Sequence, residues 1–282
     1  MKKLLFFVLI TFVSAQSNEK ILTLNEPLEG ITSMKVNVDF GMGEFLLEKG
    51  QEKFAVTGYL QYNRKYTDSV FEYAHYGSTG ILDIETDFDL SWSDSGKKND
   101  DKSNSCEVYL SPEVPIKMSI DFGFGDGNFN LNDLQVSEFL MDCGLGEATV
   151  DFGENKNPAA CKRVDIDNGL GSVNVSHLAN ANTQKMEFEC GLGSMGLDFA
   201  GEINMDIDVD ISVGMGSISI LVPRNTNVIF EYDGSFLSSI DLDDFDEIED
   251  QEFRSEVYTE GNPTIFFSVS VGAGSVRLSW ID

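Results

Sequence analysis

Cations, histidines and long apolar runs are what this chain has least of. Lys and Arg number 19 in 282 residues against 48 Asp and Glu, a formal charge of -29. A surface that acidic repels phosphodiester backbones and anionic headgroups, which excludes nucleic acid as a partner and argues against membrane insertion. Beyond the first fifteen residues no apolar stretch is long enough to cross a bilayer as a helix. The only histidines are His75 and His177, and the four cysteines show no Cys-x-x-Cys spacing, so no zinc site can be read. Catalytic signatures are missing as well. There is no Gly-x-Ser-x-Gly elbow, and a Ser-His-Asp set can be assembled only from Ser176, His177 and some distant aspartate. Carboxylate pairs for glycoside hydrolysis could be drawn from almost any two segments, but the basic and aromatic residues that hold acidic sugars are scarce in the centre of the chain. The expectation is a protein that is not an enzyme.

What the chain does have is one phrase repeated. It reads MSIDFGFGDGNFNL from Met118, FLMDCGLGEATVDF from Phe139, RVDIDNGLGSVNV from Arg163, KMEFECGLGSMGLDF from Lys185 and DVDISVGMGSISILV from Asp208. Each copy is an alternating apolar and polar run, then Gly-x-Gly, then a second alternating run. Alternation with period two marks a strand with one face in the core and one in water. In the last copy Val209, Ile211 and Val213 share a face with Ile218, Ile220 and Val222 only if the chain shifts by one residue at Gly214-Met215-Gly216. The shift predicts a bend or bulge, with glycine there to permit positive φ. A phosphate-cradling reading of Gly-x-Gly fails because each pair is followed by another strand, not by a helix. Wider-spaced copies begin at Val36 (VNVDFGMGEFLL) and Phe267 (FSVSVGAGSVRLSW), and YDGSFLSSI from Tyr232 is a degenerate copy with one glycine. The fold class that follows is all-β, a repeat architecture of stacked strand-(Gly-x-Gly)-strand units forming a β-solenoid.

The organisation around this block is simple. Met1–Ala15 reads as a signal peptide, with Lys2 and Lys3, an apolar stretch from Leu4 to Val13 and small residues before Gln16. A bacterial extracytoplasmic protein, periplasmic or secreted, is expected. Residues 16–110 form an amino-terminal β section, with strands expected at Met34–Phe40, Phe54–Tyr62, Val70–Tyr76 and Ile81–Phe88. Residues 111–282 form the repeat body. The polar stretch Ser91–Ser105, which contains Trp92, reads as an exposed loop. Cys143 and Cys190 hold the same inward slot two copies apart, about 10 Å if copies stack in chain order, too far for a disulfide. Cys106 and Cys161 lie nearer loop edges, and their pairing is left open.

The segment GMGEFLLEKGQEKFAVTGYLQYNRKYTDSVFEYAHYGSTGILDIETD, from Gly41 to Asp87, resembles the amino-terminal part of the bacterial toast-rack domains. GLGEATVDF, GLGSVNV and GMGSISILVPRNTNVIF are similar to the toast-rack body of cell-wall-active-antibiotic response proteins and adhesin-like proteins. The resemblance covers roughly residues 30 to 280. It implies an extracytoplasmic all-β repeat body, in some members part of a membrane-anchored envelope-stress regulator. It transfers no binding residue, because the matched positions are scaffold.

One local feature stands apart. DLDDFDEIEDQEF from Asp241 is dense in carboxylates, and Asp241, Asp243, Asp244 and Asp246 are candidate oxygen ligands for Ca²⁺, although the run lacks the EF-hand order and the calcium-roll nonapeptide. The expected function is an exported interaction, adhesion or envelope-stress-related scaffold whose partner is an envelope protein or a cell-surface glycan. The alternative is a calcium-dependent surface protein or a polysaccharide-active β-solenoid enzyme.

Overall fold

The computed structural model describes residues 18–88 and 104–281. The signal-like Met1–Ala15 and most of the polar stretch with Trp92 lie outside the described residues, although Asn104 and Ser105 at its end already belong to the strand Asn104–Leu110. Each repeated phrase folds as two strands meeting at Gly-x-Gly. In one rung, Lys185–Cys190 buries Met186, Phe188 and Cys190, and Ser194–Asp198 buries Met195 and Leu197. The one-residue change of parity falls on Gly191-Leu192-Gly193, as the alternation requires. Rungs then pair in parallel and in register. Phe188 lies between Ile166 and Ile211, and Leu197 between Val175 and Ile220.

The result is a flattened solenoid with two faces joined along one corner. On the first face the strands run parallel from Thr79–Phe88 through the first half of Ser33–Lys49 to Asn227–Gly234. The second face carries the strands that follow each corner, from Asn104–Leu110 to Ser239–Leu242. Ser33–Lys49 and Pro115–Asn130 pass through the corner as single long strands, and their pairing makes the ladder continuous across residue 110. Antiparallel strands close the ends: Thr67–Tyr76 on one face, Phe54–Asn63 with Glu19–Pro27 on the other, and the Phe245–Glu249 and Glu252–Ser255 pair at the far end. Such ends interrupt a row of unpaired backbone groups that would otherwise recruit further strands.

Copies stack in chain order from Gly123 to Gly214, but not beyond. The last copy, with Gly272, inserts between the Gly214 rung and the degenerate Gly234 copy, which is pushed to the edge. An edge position tolerates a poor corner because no further rung must seat against it. There the Ser235 hydroxyl donates to the Gly272 carbonyl. At the opposite end Thr86 Oγ1 accepts from Gly41 N at 3.0 Å and Asn104 Nδ2 donates to Met42 O at 2.8 Å, closing the corner with side chains.

The corner glycines owe their identity to close approach more than to positive φ. Only Gly43 and Gly125 among them have positive φ, 139° and 130°. At Gly191 a Cβ would stand 2.8 Å from the carbonyl oxygen of Gly169 in the preceding rung, and at Gly193 it would strike the Gly171 carbonyl. The expected bulge at positive φ is therefore corrected to a stacking contact that leaves no room for a side chain.

Between the faces lies the core. Near the corner its first rungs are filled by Phe40, Phe45, Phe122 and Phe129, with Phe40 and Phe122 stacked at 6.1 Å. The same inward column continues as Cys143, Asn168, Cys190, Val213 and Val271. Asn168 spends its amide on Gly171 O at 3.0 Å and Ser194 O at 2.9 Å, tying its own corner to the next rung. All four cysteines are buried and free. Cys106 sits inside a strand, not at a loop edge, and Cys161 is likewise buried, its thiol pushed up to about 11 mainly by burial.

Two outcomes follow from this packing. Gly191→Ala lowers unfolding free energy by about 2 kcal/mol in chemical denaturation, whereas Leu192→Ser one residue away changes it by less than about 0.5 kcal/mol. A thiol reagent finds no rapidly reacting cysteine in the native protein and all four after unfolding; fewer than four would reveal a disulfide.

Candidate functional site: the Gly-x-Gly corner

The residue between the two glycines is held by its backbone and left without a place in the core. Leu145 N–H donates to Gly123 O, Leu170 N–H to Gly144 O, Leu192 N–H to Gly169 O and Met215 N–H to Gly191 O, each at 2.8 Å. With the main chain pinned rung to rung, the side chain points outward. Phe124, Leu145, Leu170, Leu192 and Met215 are between 52% and 64% exposed. Half-buried Met42 and exposed Ala273 extend the line at its two ends. Beyond Ala273, on the edge copy, Phe236 and Leu237 are exposed too, Phe236 almost completely. At the usual spacing of about 4.8 Å between strands, Met42 to Ala273 makes a ridge about 29 Å long. Single exposed apolar residues need no explanation, but large ones on consecutive rungs form a continuous patch, which marks a contact surface.

Charge is sorted around the ridge. On the first face the outward residue before each corner is Asp39, Asp121, Asp142, Asp167 or Glu189, then Ser212 and Ser270, with Asp233 on the edge copy. On the second face the residue after it is Glu44, Asp126 or Glu147, then serine at 172, 194, 217 and 275. No Lys or Arg occupies any of these flanking positions. In-register carboxylates crowd one another. Burial, then the charges of Glu189, Asp142 and Asp165, push the Asp167 carboxyl up to about 6. Burial, with Asp39 and Asp142, raises Asp121 as well. The cations of this face gather at the other end of the strands, where buried Glu138 takes Lys117 at 2.5 Å, Lys162 at 3.1 Å and Arg163 at 3.5 Å. The hydrogen bond from Lys117 holds Glu138 below the usual carboxylate range.

The four calcium candidates are spread from the edge strand Ser239–Leu242 through a turn into the hairpin strand Phe245–Glu249 at the far end. Asp241 lies on Ser239–Leu242 and pairs with Arg277 at 3.2 Å. Asp243 gives its backbone carbonyl to Trp280 Nε1 at 2.7 Å. Asp244 turns the chain at φ 59° with Arg224 3.8 Å away, and Asp246 is exposed on Phe245–Glu249. Among the described residues no three His, Cys, Asp or Glu side chains converge as a metal's ligands would. His177 bonds Asp151 Oδ1 through Nδ1 at 2.7 Å, and the same Asp151 oxygen accepts from Gly153 N at 2.8 Å, so this pair braces a turn after the second-face strands. Ser176 lies in the strand just before it.

Asp167→Asn tests what a charge costs at this half-buried position between carboxylates. Between about pH 4 and pH 6 the folded state holds the Asp167 proton that the unfolded chain has released, so this group costs stability as pH rises through that window. Asp167→Asn therefore stabilises at pH 7 by about 1 kcal/mol, allowing for solvent screening of a partly exposed group, and raises Tm by about 3 °C. Calorimetry at pH 7 and pH 4 reads both ends, and the gain disappears at pH 4.

Among the described residues no helix is long and apolar enough to cross a membrane. No curated protein matches the chain. Among solved structures, one provisionally described as a cell adhesion protein from Clostridium sporogenes shares 16% identity, with 93% of this chain and 99% of that one covered, at a TM-score of 0.48. One provisionally described as an adhesin from Bacteroides fragilis shares 13%, covering 92% and 97%, at 0.37. One provisionally described as lipid-binding from Parabacteroides distasonis shares 11%, covering 94% and 98%, at 0.39. The sequence from residue 12 to residue 176, more than half of the chain, matches the family described as the N-terminal domain of toast_rack, DUF2154. Stacked corners, parallel rungs and that match lead to one conclusion: this chain belongs to the toast-rack N-terminal domain family.

Proposed function

We propose that the protein is an exported, non-enzymatic, adhesin-like module of the bacterial envelope, which holds a partner on the corner ridge. The observation that carries this reading is the row from Phe124 to Met215, where five large apolar side chains on successive rungs stand in solvent. Burying a Leu or Met side chain yields about 2 kcal/mol, and at this corner folding collects little of it. Such a row is unused contact energy, available to a second surface. Support for the export comes from the signal-like start of the sequence. Support for a role in binding comes from the rung-spaced presentation of large apolar side chains along an open corner. The partner is an envelope protein or a surface glycan.

Purified protein from Gln16 onward, fluorescently labelled, binds intact bacterial cells or isolated envelopes. The triple variant Leu145→Ser, Leu170→Ser, Leu192→Ser loses at least about tenfold in binding, the scale of 1.4 kcal/mol or more, while keeping its Tm. Binding that survives the triple substitution, or turnover of an envelope polysaccharide or peptide by the protein, refutes the proposal.

A further inference from the structure

The ridge and its flanks together say what kind of surface fits them. We infer that the corner takes a cationic amphipathic segment, an apolar stripe bordered by Lys or Arg, of about helix width and about 20 residues in length. This inference rests on the ridge being the contact proposed above, and adds the partner's chemistry. Three observations select it. The ridge is about 29 Å long, the rise of a helix of about 19 residues. Its side chains repeat at about 4.8 Å, close to the axial spacing of i, i+3 and i+4 residues, so they can seat along a groove between such side chains. Its borders are carboxylates over the first rungs and serine further along, with no cation among them.

The charge is also uneven along the ridge. At Met42, Phe124 and Leu145 acids stand on both sides, namely Asp39, Asp121 and Asp142 against Glu44, Asp126 and Glu147. At Leu170 and Leu192 only one border is acidic, and at Met215 and Ala273 both are serine. A cationic segment therefore lies in one direction, its most basic end over Phe124 and Leu145. Burial first, and then the neighbouring carboxylates, raise the proton affinity of Asp121 and Asp167, so a counter-charge from a cationic partner favours their ionised form. A second copy of this chain fits poorly, because apposed ridges bring acid borders together. Anionic bilayers are repelled for the same reason.

The test uses designed 20-residue helical peptides and the protein from Gln16. Fluorescence anisotropy is measured with a Leu/Lys amphipathic peptide, a Leu/Glu peptide of the same pattern, and a Ser/Lys peptide of equal charge but no apolar stripe. The inference expects the Leu/Lys peptide to bind at least about tenfold more tightly than either control. Leu170→Ser with Leu192→Ser weakens it about tenfold, Asp142→Asn with Glu147→Gln weakens it about threefold or more, and Asp246→Asn with Glu249→Gln on the distant hairpin leaves it unchanged. Equal binding of the Leu/Lys and Ser/Lys peptides would reduce the interaction to bulk charge and overturn the inference. Equal binding of the Leu/Glu peptide, ridge-dependent dimerisation in sedimentation, or ridge-dependent binding to neutral phosphatidylcholine vesicles in preference to the Leu/Lys peptide would each overturn it too. Envelope binding that depends on the ridge, with no preference for the Leu/Lys peptide, discards the partner's chemistry and keeps the ridge. Loss of both discards the ridge.

Discussion

Everything about this molecule depends on how closely one rung's corner approaches the next. Carbonyl oxygens of the corner glycines accept N–H groups from the following rung at 2.8 Å, and the same oxygens occupy the space a Cβ would need. Two consequences come from that single contact. Glycine is required on both sides of the bend, and the residue between the glycines is turned out of the core. The structural repeat thus creates an exposed row as a by-product of its own stacking. Filling that row with Phe, Leu and Met, where Ser or Lys would have served solubility better, is the decision in the sequence that stacking does not explain.

The fold was largely legible. Period-two alternation in KMEFEC and DVDISV read directly as half-buried strands, and the parity change placed the bend on the glycines. Chain order predicted the spatial order of five rungs. It failed at the C-terminal end, where the Gly272 copy lies between the Gly214 rung and the Gly234 copy, an order that spacing along the chain does not rank. Positive φ was the wrong reason for most corner glycines, since a single strand's sequence contains no trace of how near its neighbour will lie. Glu19–Pro27 escaped notice because, as an antiparallel end strand, it carries neither a corner nor the repeated phrase.

The candidate site is legible in the sequence. In six copies the central residue of Gly-x-Gly is Met42, Phe124, Leu145, Leu170, Leu192 or Met215, an apolar residue at a position that alternation already assigned to the bend. A bend residue that is apolar in copy after copy is the signal. The carboxylate-rich run from Asp241 stands out in the sequence by its density of one residue type, while the structure spreads those side chains and sets Arg277 and Arg224 beside two of them. Segregation of charge on the first face, acids by the ridge and cations around Glu138, was equally invisible before register was known, because Lys117, Glu138, Lys162 and Arg163 belong to neighbouring copies that only the stacking brings together.

The most direct measurement is hydrogen–deuterium exchange of the corner amides. The side chains of Leu145, Leu170, Leu192 and Met215 are exposed, yet their N–H groups are bonded to the preceding rung. Slow exchange at these four amides, comparable to the buried strand positions beside them, is the predicted result. Exchange as fast as in the exposed turn at residues 154–156 would mean that the corners are not held rung to rung, and both the glycine ladder and the fixed ridge built on it would fall.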